Sequence, residues 1–245
     1  MSAGLPMSDL RVCADAAELA QVGAQYFIKL AEGAIAAQGR FSVALSGGST
    51  PRDMYQRLAE EFSSRLDWSS VYVFWGDERC VPPDHADSNY RMAHESLLDH
   101  LPIPPGHIHR MRGEIPPEQV AVEYEQTLRV FFGESSPARF DLAVLGLGED
   151  GHTASLFPGT AALHEQARWV IAHEVRRLGA WRITLTPVIL NAAAHVVFVV
   201  SGAKKAAILR EVRSGPYRPD TLPAQIINPT IGNLLWLVDR SVAIE

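Results

Sequence analysis

FSVALSGGSTPRDMYQRLAEEF, residues 41–62, passes from a short apolar run through paired glycines and hydroxyl residues into a helical pattern. FSVAL (41–45) has the length and β-branched content of a strand. PRDMYQRLAEEF (51–62) has the spacing of an amphipathic helix, with Pro51 suited to a first turn that needs no N–H there and Ser49 or Thr50 placed to cap it. A strand that runs straight into a helix is one half of a βαβ unit.

The same pattern recurs along the chain. Further strand candidates are VYVFW (71–75), DLAVLG (141–146), RWVIA (168–172), RITLT (182–186), HVVFVV (195–200) and LLWLVD (234–239). Several are apolar on successive residues, as strands covered on both faces must be. Helix candidates are AAELAQVGAQYFIKLAEGAIAAQ (16–38), SNYRMAHESLLDHL (88–101), EQVAVEYEQTLRVFF (118–132) and KKAAILREVR (204–213). The alternation predicts an α/β, Rossmann-like fold with a mainly parallel sheet and helices on both faces. The turn-rich stretches PIPPG (102–106), GESSP (133–137) and RSGPYRP (213–219) are too short for interdomain linkers, so residues 1–245 are expected to form one domain.

Composition narrows the function. A chain of 245 residues that is 47% hydrophobic and 20% charged is ordinary for a globular protein. Its formal charge of −6 argues against a general nucleic-acid binder, which needs a basic face, but leaves room for a small anion held by local cations. Two cysteines, Cys13 and Cys80, give no disulfide framework. No signal peptide is visible, and the longest apolar stretch, AAAHVVFVV (192–200), is too short to span a membrane. The expectation is a cytoplasmic protein with no membrane partner.

Ligands of open parallel sheets bind beyond the carboxyl ends of the strands. There the chain places Ser46-Gly47-Gly48-Ser49-Thr50, Gly76-Asp77-Glu78-Arg79, Gly146-Leu147-Gly148-Glu149-Asp150-Gly151-His152 and Ser201-Gly202-Ala203-Lys204-Lys205. The paired glycines let backbone N–H groups converge on an anion at a helix N-terminus. Arg79 offers a planar fork suited to phosphate oxygens. Lysines at a helix start oppose the local dipole unless an anion sits there.

Gly146, Gly148 and Gly151 also spell the G-x-G-x-x-G of a dinucleotide turn, with Glu174 as a nominal acidic partner downstream. Glu149 and Asp150 put negative charge where a pyrophosphate needs positive potential, Pro158-Gly159 interrupts the helix that should follow, and the motif comes late in the chain. The glycines instead shape a tight, solvent-facing loop that presents His152, whose imidazole can take a proton near neutrality. His107 and His109 lack a third ligand, no metal motif occurs, and Cys80 has no histidine at catalytic spacing.

Taken together, ALSGGSTP, VFWGDERCVPPDHADSNY, LGLGEDGHTASLFPG, VSGAKKA and LPAQIINP resemble, in order and over nearly the whole chain, the motifs of the 6-phosphogluconolactonases. That family belongs to a wider group with the glucosamine-6-phosphate deaminases, whose branch would read closer to DGHIAFNEPG where this chain has DGHTASLFPG. The resemblance implies hydrolysis of a sugar-phosphate lactone, 6-phospho-D-glucono-1,5-lactone, in the oxidative pentose phosphate pathway, with no cofactor and no metal. It implies His152 as general base on water, Asp77 or Asp150 orienting the imidazole, and phosphate held by Arg79, Lys205 and the backbone of Ser46, Gly47, Gly48, Ser49 and Thr50. Lys205 is selected by counting the family's G-x-x-K-A from Gly202, and Lys204 is left as a solvated residue. Loop N–H groups from the glycines around His152 would meet the developing oxyanion. Two other readings stand beside it: an isomerase/deaminase in which Asp77 moves a proton at C2, and a non-catalytic sugar-phosphate sensor domain. The oligomeric state is left open.

Overall fold

The computed structural model describes residues 9–133 and 139–243. Residues 1–8, part of the segment read for a signal peptide, and all but the first residue of GESSP lie outside the described residues. In chain order the strands are β1 (Asp9–Cys13), β2 (Phe41–Leu45), β3 (Val71–Trp75), β4 (Asp77–Arg79), β5 (Leu142–Leu145), β6 (Val170–Val175), β7 (Ala180–Leu185), β8 (His195–Val200) and β9 (Asn233–Asp239). The helices are α1 (Ala16–Gln38), α2 (Ser49–Phe62), α3 (Asn89–Ser96), α4 (Pro117–Phe132), α5 (Pro187–Leu190), α6 (Ala206–Ser214) and α7 (Arg240–Ala243).

Six strands form one sheet in the order β1-β9-β8-β5-β2-β3, every pair parallel. Side chains alternate between its faces, and each face has its own apolar core. Ala44, Phe74, Ala143, Leu145, Phe198 and Trp236 join α4 and α6 on one side. Val43, Leu45, Val73, Trp75, Val144 and Leu237 join α1 and α2 on the other. Two-sided burial is why these strands read as unbroken apolar runs.

Three strand assignments need correction. RWVIA and RITLT were expected in the parallel sheet, and GDER was expected to be loop. Instead β4, β7 and β6 make a separate antiparallel sheet in that order. β6 and β7 keep His173, Glu174, Trp181 and Arg182 exposed or half-buried while Val170, Ile171, Ile183 and Leu185 are buried, so this hairpin covers one core face rather than entering the main sheet. Its link to the large sheet is a pair of backbone bonds: Gly76 N–H donates to Leu45 O at 2.8 Å, and Leu185 N–H to Gly76 O at 2.8 Å.

Local ends also differ. Gly48, at φ 105°, occupies the N-cap of α2, and neither Ser49 nor Thr50 makes a side-chain cap. A positive φ favours glycine there, and the first-turn N–H groups are left facing outward. The 88–101 segment is helical only to Ser96, and Lys204 and Lys205 lie in a 3₁₀ turn ahead of α6.

Two buried tyrosines satisfy the backbone where strands end. Tyr55 on α2 accepts from Ser46 N–H (3.0 Å) and donates to Ser46 O (3.1 Å). Tyr124 on α4 accepts from Trp75 N–H (2.7 Å) and donates to Trp75 O (3.2 Å). Burial pushes both phenols well above the usual range, so both stay protonated and able to donate. Tyr124→Phe should cost about 1–3 kcal/mol, because it orphans two buried backbone groups. Thermal unfolding should show a Tm lower by several degrees with the same circular dichroism spectrum, and an unchanged Tm would contradict this reading.

Candidate active site

The chain leaves the main sheet at Gly76 and begins β4 at once, so Asp77 and Arg79 share one face of the small sheet and Glu78 the other. Glu78 is buried and accepts from the N–H groups of Arg79, Asn89 and Tyr90, each at 2.8 Å, and from Ser88 Oγ at 3.0 Å. It pins the start of α3 to β4. Burial raises its pKa, and the three backbone bonds pull the other way. On the opposite face, Arg79 stands across from Arg182, which stands across from His173, while Asp77 stands across from Thr184. The small sheet therefore presents Asp77, Arg79, Arg182 and His173 together.

The loop after β5 docks onto that face through Ser155. Its N–H donates to Thr184 Oγ1 on β7 (3.2 Å), its hydroxyl to Asp77 Oδ2 on β4 (2.7 Å), and its carbonyl meets His173 Nε2 on β6 (2.8 Å). Asp77 Oδ1 takes a second bond from Asn89 Nδ2 at 3.2 Å. Ala154, the one described non-glycine residue at positive φ (47°), makes the turn that delivers Ser155, a conformation costing roughly 1–2 kcal/mol.

Within this loop Gly148 N–H donates to His152 O (2.8 Å) and Gly151 N–H to Gly148 O (3.0 Å). Those two N–H groups are thus occupied, and the expectation that they meet an oxyanion is corrected. Asp150 Oδ1 lies 2.5 Å from His152 Nδ1. A carboxylate only accepts, so Nδ1 carries the proton and Nε2 the lone pair. A Cβ on Gly148 would fall 2.0 Å from His152 Nδ1 and 2.7 Å from Asp150 Oδ1, so the pair exists because that position has no side chain. The carboxylate touching the imidazole is Asp150, while Asp77 acts on it through space.

His152 is only partly open to solvent, less than its loop suggested. Its ring packs 4.3 Å from that of Phe157, and its side chain is 30% exposed. Burial pushes the imidazole pKa down to about 4; Asp77 opposes the fall, and Lys205, Arg79 and Arg182 add to it. Asp150 also favours the charged ring, but it shares its own charge with Arg177. The imidazole is neutral at physiological pH.

Of the remaining expected residues, Lys205 and Arg79 lie within electrostatic reach of this base. Lys205 is partly buried, which lowers its pKa against the pull of Glu149 and Asp239, whereas Lys204 is exposed. Arg79 donates to Asp87 O at 2.6 Å, and Arg182 is held low by burial and by Arg79 opposite it. Gly47 packs so closely on Asn89 that a Cβ would lie 1.8 Å from Asn89 Oδ1, which joins the Ser46–Thr50 turn to the Asp77 cluster. Ser46 has its backbone N–H on Tyr55, so that group is already committed within the protein.

Sequence reasoning missed Asn89, Ser155, Arg177 and Arg182. Ser155 and Asn89 lie inside stretches that were singled out, but their roles depend on partners distant in the chain. Cys80 has its pKa raised to about 11 by burial, so it holds its proton and is no nucleophile. His107 and His109 stack on Tyr72 and Phe74 at the sheet edge. Among the described residues no group of His, Cys, Asp or Glu could hold a metal ion, and no helix is long and apolar enough to cross a membrane.

Known proteins resemble this chain over most of its length. The profile of a family described as glucosamine-6-phosphate isomerases/6-phosphogluconolactonase matches residues 14–236. A 6-phosphogluconolactonase of Nostoc is 44% identical over 216 residues, covering 86% of this chain and 87% of its own. One from Synechocystis is 45% identical over 211 residues, covering 84% and 85%. The solved 6-phosphogluconolactonase of Trypanosoma brucei superposes with a TM-score of 0.85 at 32% identity, over 97% of this chain and 98% of that one.

The loop geometry makes a spectroscopic prediction. In the free protein His152 should titrate by NMR near pH 4, far below the ordinary ~6.5. Gly148→Ala should displace the ring, abolish the downfield Nδ1–H signal, and leave the rest of the spectrum in place. A midpoint near 6.5 in the wild type, or an intact Nδ1–H signal in Gly148→Ala, would contradict the arrangement.

Proposed function

The chain belongs to the family of glucosamine-6-phosphate isomerases and 6-phosphogluconolactonases, and we propose that His152 is the general base of its lactonase reaction. The enzyme hydrolyses 6-phospho-D-glucono-1,5-lactone to 6-phospho-D-gluconate in the oxidative pentose phosphate pathway. The observation that carries the assignment of the base is the state of His152: neutral, with Nδ1 committed to Asp150 and the Nε2 lone pair left over.

A water on Nε2 adds through its oxygen to lactone C1 while its proton passes to the imidazole. Asp150 and, at longer range, Asp77 stabilise the imidazolium as it forms. The tetrahedral intermediate collapses by breaking the bond from C1 to the ring oxygen, and the imidazolium returns its proton to that departing oxygen. The product acid then releases a proton to water. Negative charge on the carbonyl oxygen develops in the positive field of Arg79, Arg182 and Lys205.

The phosphate is the handle. Arg79 and Lys205 supply charge-assisted contacts, and the Gly47–Thr50 backbone at the α2 N-terminus supplies N–H groups. Fixing that end holds C1 over the base, which converts remote binding energy into rate. An isomerase would ask Asp77 to carry a proton at C2. With Oδ1 on Asn89 and Oδ2 on Ser155, Asp77 is held as an acceptor, suited to tuning the ring's charge.

His152→Ala should lower kcat roughly 10²–10⁴-fold with little change in KM, once spontaneous lactone opening is subtracted. Arg79→Ala and Lys205→Ala should instead raise KM strongly, each removing a charge-assisted contact of about 1.5–3 kcal/mol. Wild-type turnover by His152→Ala would remove the base assignment, and an unchanged KM in both cation variants would remove the phosphate assignment.

A further inference from the structure

Arg177 sits in the 3₁₀ turn Arg176–Leu178 that joins β6 to β7, closed by Gly179 in the left-handed region at φ 57°. No part of the reaction as described requires it. Two chains of contact nevertheless run from it to the general base. Through the first, Nη2 of Arg177 is paired with Asp150 Oδ2, and Asp150 Oδ1 lies 2.5 Å from His152 Nδ1. Through the second, the Arg177 guanidinium lies 4.9 Å from the centre of the Phe157 ring, which also packs against the His152 ring at 4.3 Å. One guanidinium therefore holds both the carboxylate that fixes the imidazole and the aromatic ring against which the imidazole packs.

We propose that Arg177 is a positioning residue for the lactonase reaction, holding Asp150 and Phe157 in place so that His152 keeps one tautomer and one orientation. The proposal rests on His152 being the general base. Arg177 is about half exposed, and an ion pair this open to solvent adds little to stability. Its effect is on geometry and on charge: bound to Arg177, Asp150 stabilises the imidazolium less than a free carboxylate would. The ring's midpoint is thereby held below the value that an unshared Asp150 would give it. Because the turn closes a hairpin whose strands also carry Arg182 and His173, docking Arg177 on Asp150 seats that hairpin over the substrate side of the site.

The charged groups facing His152 come from several elements: Asp150 from its own loop, Asp77 and Arg79 from β4, Arg182 from β7, and Lys205 ahead of α6. Removing Arg177 leaves all of these and frees the charge of Asp150. A carboxylate no longer shared favours the protonated ring, so the His152 midpoint must rise.

Arg177→Met tests this, since its apolar stem still covers Phe157 while the charge is gone, and Arg177→Lys serves as the conservative partner. In Arg177→Met the NMR titration midpoint of His152 should rise by roughly one pH unit. Its kcat should fall on the order of tenfold to a hundredfold with KM nearly unchanged. Arg177→Lys should recover most of both. Raised KM with kcat preserved would mean that Arg177 holds substrate instead, and an unmoved midpoint with wild-type kcat would mean that it only decorates the turn; either outcome overturns the proposal. The NMR midpoint is read without substrate, so failure here is separable from failure of the base assignment, which His152→Ala turnover decides alone.

Discussion

Ser155 binds the two parts of the fold into one working site. Its N–H, hydroxyl and carbonyl are each taken by a different strand of the small sheet, through Thr184, Asp77 and His173. The loop that carries His152 begins on the parallel sheet and would otherwise end in solvent. Held at Ser155, it brings the imidazole within electrostatic reach of Asp77, Arg79 and Arg182. The burial that keeps the ring neutral follows from this docking. Buried polar groups must find partners, so a residue that satisfies three at once, two through its backbone and one through its hydroxyl, specifies the arrangement tightly.

The site is electrostatically costly by construction. The chain as a whole is acidic, with a formal charge of −6, yet Arg79 and Arg182 face each other across an antiparallel pair. Like charges in that relation are destabilising. Burial lowers the pKa of both Arg182 and Lys205, a sign that their charges are poorly solvated in the free protein. In the proposed reaction the incoming phosphate relieves this cost, and relief on binding is what makes a remote handle useful for catalysis.

The parallel sheet was legible in the sequence where physics leaves little choice. FSVAL, VYVFW and HVVFVV match β2, β3 and β8 residue for residue, because strands buried on both faces are apolar at nearly every position. The loops at their carboxyl ends were legible too, since glycines and charges there have few other uses. The small sheet was not. Asp77–Arg79 is only three residues long, and it becomes a strand by pairing with Arg182–Thr184, about a hundred residues away. RITLT has the composition of a core strand, yet its place is fixed by cross-strand partners rather than by its own pattern. The same holds for the missed residues: Arg182 and Arg177 reach the site only once the hairpin folds over it. Ser49 and Thr50 had the right chemistry to cap α2, but Gly48 at positive φ takes that place and frees the helix end.

The central claim is that one pocket holds the phosphate at the α2 end and the lactone carbonyl at His152. A crystal structure with 6-phospho-D-gluconate bound tests it most directly. The account requires the phosphate on the Gly47–Thr50 backbone, Arg79 and Lys205, and the C1 carboxylate within hydrogen-bond distance of His152 Nε2. A product bound in the opposite sense, with phosphate on His152 and C1 at the α2 N-terminus, would contradict it.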